Sequence, residues 1–107
     1  MEKIKLSQLA SKLTKPYTPI EVCNIDDYHC YLSLLQGEYP FHKHDGDEFF
    51  LVIEGETKID LESESITLGR HEGLLVPKGV VHRPNSKGRT IALIFESKAL
   101  ASHWVEG

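Results

Sequence analysis

Phe49-Phe50-Leu51-Val52-Ile53-Glu54-Gly55-Glu56-Thr57-Lys58-Ile59-Asp60-Leu61 is the stretch whose reading decides the architecture of this chain. Phe49 to Ile53 reads as a buried strand, and Thr57 to Leu61 as a second one. Glu54-Gly55-Glu56 supplies the turn between them, so the two runs predict a hairpin. Upstream, Ile20 to Ile25 alternates, Asp26-Asp27 is a turn signal, and Tyr28 to Leu35 is rich in aromatic and branched residues until Gln36-Gly37-Glu38 breaks it. Downstream, Ile66 and Leu68 mark a short strand, and Leu74-Leu75-Val76 another among Gly69, Gly73, Pro77 and Gly79. Asn85-Ser86-Lys87-Gly88 reads as a turn before a last strand, Ile91 to Phe95. Short strands punctuated by Gly and Pro predict an all-β sandwich or barrel, with its core over about residues 20–96. Ahead of it, Leu6, Leu9, Ala10 and Leu13 fall at helical spacing, with Ser7 available as a cap. Pro16 stops that pattern, which predicts a short helical arm over about residues 5–14 packed on the outside of the barrel. The tail from Lys98 to Trp104 is read as a short helix or a loose end.

Composition bounds what such a chain does. Its 107 residues make one domain spanning 1–107. Twelve basic against sixteen acidic residues give a net charge of −4, and no block of Lys or Arg forms a footprint for nucleic acid. The longest apolar runs, Phe49 to Ile53 and Ile91 to Phe95, fall far short of the roughly 20 residues of a membrane-spanning helix and of a signal peptide's apolar core of about 7–15. Cys23 and Cys30 cannot build a disulfide framework and read as core residues, which predicts a reducing, cytoplasmic setting. A barrel this small has a modest core, and a homodimer that hides an edge strand or a face is expected.

Six histidines in so short a chain carry most of the chemical information. In a strand, residues two apart share a face, so His42 and His44 project together while Lys43 points away. Their Cα atoms stand about 6.6 Å apart, close enough for two rings to converge on one ion. Asp45-Gly46-Asp47 is a tight turn that brings Glu48 back beside them, and Pro77-Lys78-Gly79 aims a distant third imidazole, His82, inward. Three neutral imidazoles and a carboxylate leave open positions on an octahedral metal, as a reactive site requires. Taken singly, these residues fit a solvated edge, a surface carboxylate and a turn histidine; their joint occurrence is the signal.

The run from Gly37 to Gly55 resembles the first motif of the cupin superfamily: Gly37, four residues, His42-Lys43-His44, three residues, Glu48, six residues, Gly55. Pro77-Lys78-Gly79, two residues, His82 and the nearby Asn85 resemble the second. The chain departs from the common pattern in a first gap one residue shorter, in His71 where the second motif usually has Gly, and in the three-position step from His82 to Asn85. The resemblance covers about residues 37–95. It is greatest to small single-domain cupins labelled mannose-6-phosphate isomerase-like, through Asp47 to Gly55 and Val76 to Pro84. It implies an all-β, single-domain cupin-type β-barrel (a double-stranded β-helix, or jelly roll) with a short N-terminal helix. It also implies one divalent transition-metal ion (Fe, Mn, Ni or Zn) on His42, His44, Glu48 and His82.

If those four face inward, alternation predicts Phe50 and Val52 in the same pocket, and Phe49, Leu51 and Ile53 on the opposite face. One of Tyr31 and Leu32, Ile59 or Leu61, and one of Ile94 and Phe95 join them. Arg83 is a further pocket candidate, able to hold a substrate carboxylate if it turns inward, although alternation from His82 favours a surface cation at the barrel mouth. Tyr39 is expected to pack within its loop. His29, His71 and His103 read as structural. Two functions fit this pattern: a mononuclear metal-dependent enzyme acting on a small molecule, dioxygenase- or isomerase-like, or a small-ligand binding or sensing module without turnover. No separate catalytic base is identifiable, and fold alone does not choose between them.

Overall fold

A computed structural model describes residues 1–105 of the chain. The elements in order are helix α1 (Leu6–Ala10) and strands β1 (Ile20–Ile25), β2 (Tyr28–Glu38), β3 (His42–His44), β4 (Glu48–Glu54), β5 (Thr57–Leu61), β6 (Ser65–Leu68), β7 (Gly73–Val76), β8 (His82–Ser97) and β9 (Ser102–Trp104). All nine strands belong to one curled antiparallel sheet. Its hub is β8, which pairs with β2, β3, β4 and β5 and so reaches every part of the barrel.

The predicted hairpin does not form: β4 pairs with β7 and β8 while β5 pairs with β6 and β8, so the turn between them carries the chain from one part of the sheet to another. That turn is at Gly55, whose φ is +85° and whose missing side chain leaves room for the Arg89 carbonyl. Along β4, alternation separates two apolar faces. Phe50 and Val52 point inward into a core with Leu35, Ile59, Leu68, Val76, Ala92 and Ile94. Ile53 points outward toward a second cluster, where Leu6, Leu9, Ala10 and Leu13 cover Leu32, Leu34 and Ile91. The N-terminal arm thus closes the outer face of β2, as its apolar stripe requires.

Other local expectations are corrected as well. The helix is shorter than residues 5–14, with Lys5 at its N-cap and no side-chain cap bond. Ser7 lies inside it, and the chain to Leu13 continues in tighter i→i+3 bonds from Lys12 to Leu9 and from Leu13 to Ala10. Gln36-Gly37-Glu38 does not end β2; the strand runs on through an irregularity between Leu35 and Gly37. Asn85 to Gly88 is not a turn but the middle of β8. Ser86 is buried there and donates its hydroxyl to Thr57 Oγ1 at 2.6 Å, which holds this polar segment extended between β5 and β2. The tail is neither helical nor loose as far as Trp104: Ser102 to Trp104 add an edge strand beside β3. Cys30 is buried as expected, whereas Cys23 is half-buried.

Candidate metal centre

Backbone pairing assembles the site. His42 and His82 are direct cross-strand partners on β3 and β8, so their side chains share the inner face. His44 follows on the same face of β3, and Glu48 opens β4 after the Asp45-Gly46-Asp47 turn. Asp47 secures that geometry by accepting the Lys78 N–H at 2.9 Å, and Gly79 N–H donates to the His44 carbonyl at 2.9 Å, tying both motifs together. All four side chains are buried, and one donor atom from each lies within 4.8 Å of the others. Octahedral bonds of about 2.1 Å place neighbouring donors about 3.0 Å apart and opposite ones about 4.2 Å apart, so the spread suits one ion.

The hydrogen bonds fix which nitrogen points inward. His42 Nδ1–H donates to the Pro40 carbonyl at 2.9 Å, and His82 Nδ1–H to the Val80 carbonyl at 2.8 Å. A carbonyl only accepts, so a neutral ring in either position presents a lone pair at Nε2. His44 Nδ1 lies 3.0 Å from Ser102 Oγ, a hydroxyl able to donate or accept, and this contact turns Nε2 toward the cluster. Glu48 Oε1 then stands 3.0 Å from His82 Nε2 and 3.2 Å from His44 Nε2, and the latter nitrogen is buried without a well-aligned hydrogen-bond partner. Lone pairs facing a carboxylate oxygen at that range need a positive charge between them, and the donor set therefore fits a divalent ion.

The electrostatics agree. Burial alone would raise the Glu48 carboxyl, but its bonds to His44 and His82 hold it well below the usual carboxylate range. Burial opposes charge on His44, and Glu48 outweighs it and raises that ring. His42 is lowered, first by burial and also by its imidazole neighbours. A carboxylate ready as an anion and a neutral imidazole are the forms that bind metal.

A cavity of about 200 Å³ lies against His42, His44 and Glu48. Of the predicted pocket residues, Phe50 lines it. Val52 shares that face but sits deeper, fully enclosed in the core. Arg83 is turned away: its Nε donates to Asp60 at 3.0 Å, its Nη1 to Glu38 at 3.3 Å, and its guanidinium covers the Phe41 ring at 4.3 Å. Tyr31 rather than Leu32, and Ile94 rather than Phe95, face the cavity, while Ile59 belongs to the core beneath. Tyr39 lines the cavity instead of packing only within its loop, with its ring 5.2 Å from that of His42 and 4.6 Å from that of Tyr17. His71 sits in a turn at φ +67° and His103 is exposed on β9. His29 is 3.5 Å from Glu96 Oε1.

A family profile described as the cupin domain matches residues 33–97. The chain belongs to the cupin family. Among curated proteins it is 37% identical over 95 residues to the uncharacterized protein YdbB of Bacillus subtilis, covering 87% of this chain and 84% of that one. Among solved structures it resembles a cupin-2 domain protein from Shewanella frigidimarina, with a TM-score of 0.87, 32% identity, and 89% and 94% of the two chains covered. It also resembles the hydroquinone 1,2-dioxygenase PnpCD, solved with Cd2+ and 4-hydroxybenzonitrile, with a TM-score of 0.77 and 90% and 72% coverage. At 19% identity that likeness is one of fold.

Among the residues of this cupin's cavity that escaped the sequence reading, Glu96 and Ser102 stand next to the candidate ligands. Glu96 lies directly opposite Glu48 across β4 and β8, and opposite His29 across β2 and β8. Burial and the Glu48 charge push its carboxyl up to about 7. The signal was present: Ala92, Ile94 and Glu96 continue one inward face past the apolar run. Ser102, which reaches His44, had no such signal, because it arrives on an edge strand whose pairing is tertiary.

Proposed function

We propose that this cupin binds one divalent transition-metal ion through His42, His44, Glu48 and His82 and is a mononuclear metal-dependent enzyme acting on a small molecule in the adjoining cavity. The supporting observation is the convergence of imidazole lone pairs and a carboxylate oxygen on one buried point, with a cavity beside it. Three imidazoles favour Fe, Mn, Ni or Zn over Mg or Ca. Such an ion would supply Lewis-acid or redox chemistry to a ligand oxygen. The chain's own residues orient the donors through Pro40, Val80 and Ser102, exclude bulk water with Phe50 and Ile94, and hold a second carboxyl, Glu96, next to the reacting space. A dioxygenase-like reaction draws support from the fold shared with PnpCD. Membership of the isomerase-like group rests on Asp47 to Gly55 and Val76 to Pro84. A cytoplasmic homodimer completes the reading, with the unpaired edge of β7 and its exposed Leu75 available to a second copy. Among the described residues, no helix is long and apolar enough to cross a membrane.

Elemental analysis of purified wild type, His42→Ala and Glu48→Gln provides the test. About one metal per wild-type chain is expected, and loss from both variants with an unchanged circular dichroism spectrum. Full metal content in either variant would move the ligands elsewhere. Oxygen uptake by the Fe(II)-loaded protein across small phenols, thiols and acids then tests turnover; silence with several metals would leave a binding module in place of an enzyme.

A further inference from the structure

The two cysteines of the chain take no part in the candidate metal centre and stand together elsewhere. Cys23 on β1 and Cys30 on β2 are direct cross-strand partners. Their strands are joined by the short turn at Asp26-Asp27, where Asp26 has φ +51°. Directly opposed residues of an antiparallel ladder leave the same face with Cα atoms about 4.5–5.5 Å apart, inside the roughly 4.4–6.8 Å that a disulfide spans. That face is the outer one: Tyr31, the next residue on β2, lines the cavity, so Cys30 points the other way. The two thiols differ in access, for Cys30 is buried and Cys23 half-buried. Burial pushes the Cys30 thiol up, and the Cys23 thiol beside it pushes the same way. A reachable thiol next to a shielded one is the arrangement of an attacking and a resolving cysteine. The strand that a bond between them would hold matters to the cavity. Among the described residues β1 pairs with β2 alone, and the segment leading into β1 puts Tyr17 and Pro19 in the cavity wall.

We propose that Cys23 and Cys30 are a reversible thiol–disulfide pair, oxidised by small-molecule disulfides to an intrachain bond that pins β1 to β2. The Cys23 thiolate attacks the small disulfide, forming a mixed disulfide and releasing one thiol. The Cys30 thiolate then attacks the Cys23 sulfur and expels the second thiol. Two protein S–H bonds are lost and one S–S bond forms. The oxidant's S–S bond is reduced, and the two protons leave on the two released thiols. Excess thiol reverses both steps, because Cys23 stays reachable from solvent. The test incubates fully reduced wild-type protein with oxidised glutathione under anaerobic conditions and reads intact mass, with peptide mapping to place the bonds. The expected product is a single chain lighter by two hydrogens, with Cys23 joined to Cys30, returned to the starting mass by dithiothreitol. Cys30→Ser should stop at one glutathionyl group on Cys23, and Cys23→Ser should react about tenfold more slowly. Amide hydrogen exchange across residues 20–25 should slow about tenfold on oxidation. A wild-type chain that keeps both thiols, stops at the mixed disulfide or cross-links to a second copy would overturn the proposal. So would a cross-linked chain whose β1 amides exchange as before. Equal rates in the two variants would overturn the role of Cys23 as the attacking thiol. The wild-type product decides the matter if a variant does not fold.

Discussion

Ser102 Oγ lies 3.0 Å from His44 Nδ1, and that contact decides which nitrogen of His44 faces the cluster. Partners of this kind raise metal affinity about 10–100-fold. Ser102→Ala is therefore expected to weaken metal binding about tenfold in a chelator-competition titration while leaving the melting temperature of the metal-free protein unchanged. Asp60 makes the complementary case of a residue that holds the barrel rather than the ion. It accepts hydrogen bonds from Ser65 at 2.6 Å, Arg83 at 3.0 Å and Asn85 at 3.1 Å. Burial raises its carboxyl, but those donors outweigh burial and hold it below the usual aspartate range. Its folded value lies under the unfolded one, so its stabilisation is complete above about pH 4 and fades as pH falls through the folded value. Asp60→Asn should lower stability by about 1–3 kcal/mol at pH 7. In denaturant titrations the difference from wild type should shrink below about pH 4.

At the scale of elements, the β4–β5 turn and β8 carry the site. Gly55 adopts φ +85°, and a Cβ there would come within 2.6 Å of the Arg89 carbonyl and 3.0 Å of Thr90. Both obstacles are on the hub strand, so neither relaxes without moving the barrel. Gly55→Ala should destabilise by about 2 kcal/mol or more, read as a lower denaturant midpoint with an unchanged slope. The pairing registers explain why so few elements build the centre. Strand β8 places His82 against β3 at one end and Glu96 against β4 at the other. Its length follows from the buried Ser86–Thr57 hydroxyl pair, which keeps a polar, turn-like segment extended.

Across the whole molecule, two apolar clusters sandwich β2: one fills the barrel under the cavity, and the other seats the N-terminal arm outside. The candidate metal centre lies at the junction of both sequence motifs, so an ion there would cross-link β3, β4 and β8. Binding to the folded state alone stabilises by about 2.7 kcal/mol at a hundredfold excess over the dissociation constant. Adding Zn(II) or Mn(II) to the stripped protein should raise its melting temperature by several degrees, and a chelator should reverse the shift. His42→Ala should abolish both effects.

Period-two alternation and Gly-Pro punctuation were enough to read the all-β class, the two strands that flank the Gly55 turn and the shared face of His42 and His44, because side-chain direction in a strand depends only on parity. That those two strands pair with other partners rather than as a hairpin was a tertiary outcome. The pairing of His42 with His82, the burial that orients Glu48, and the arrival of Ser102 and Glu96 depended on strand register between segments far apart in the chain. Local residue preferences carry no information about that register. For the same reason Asn85 to Gly88 looked like a turn and became a strand: the partner that satisfies its polar groups, Thr57, lies on another element.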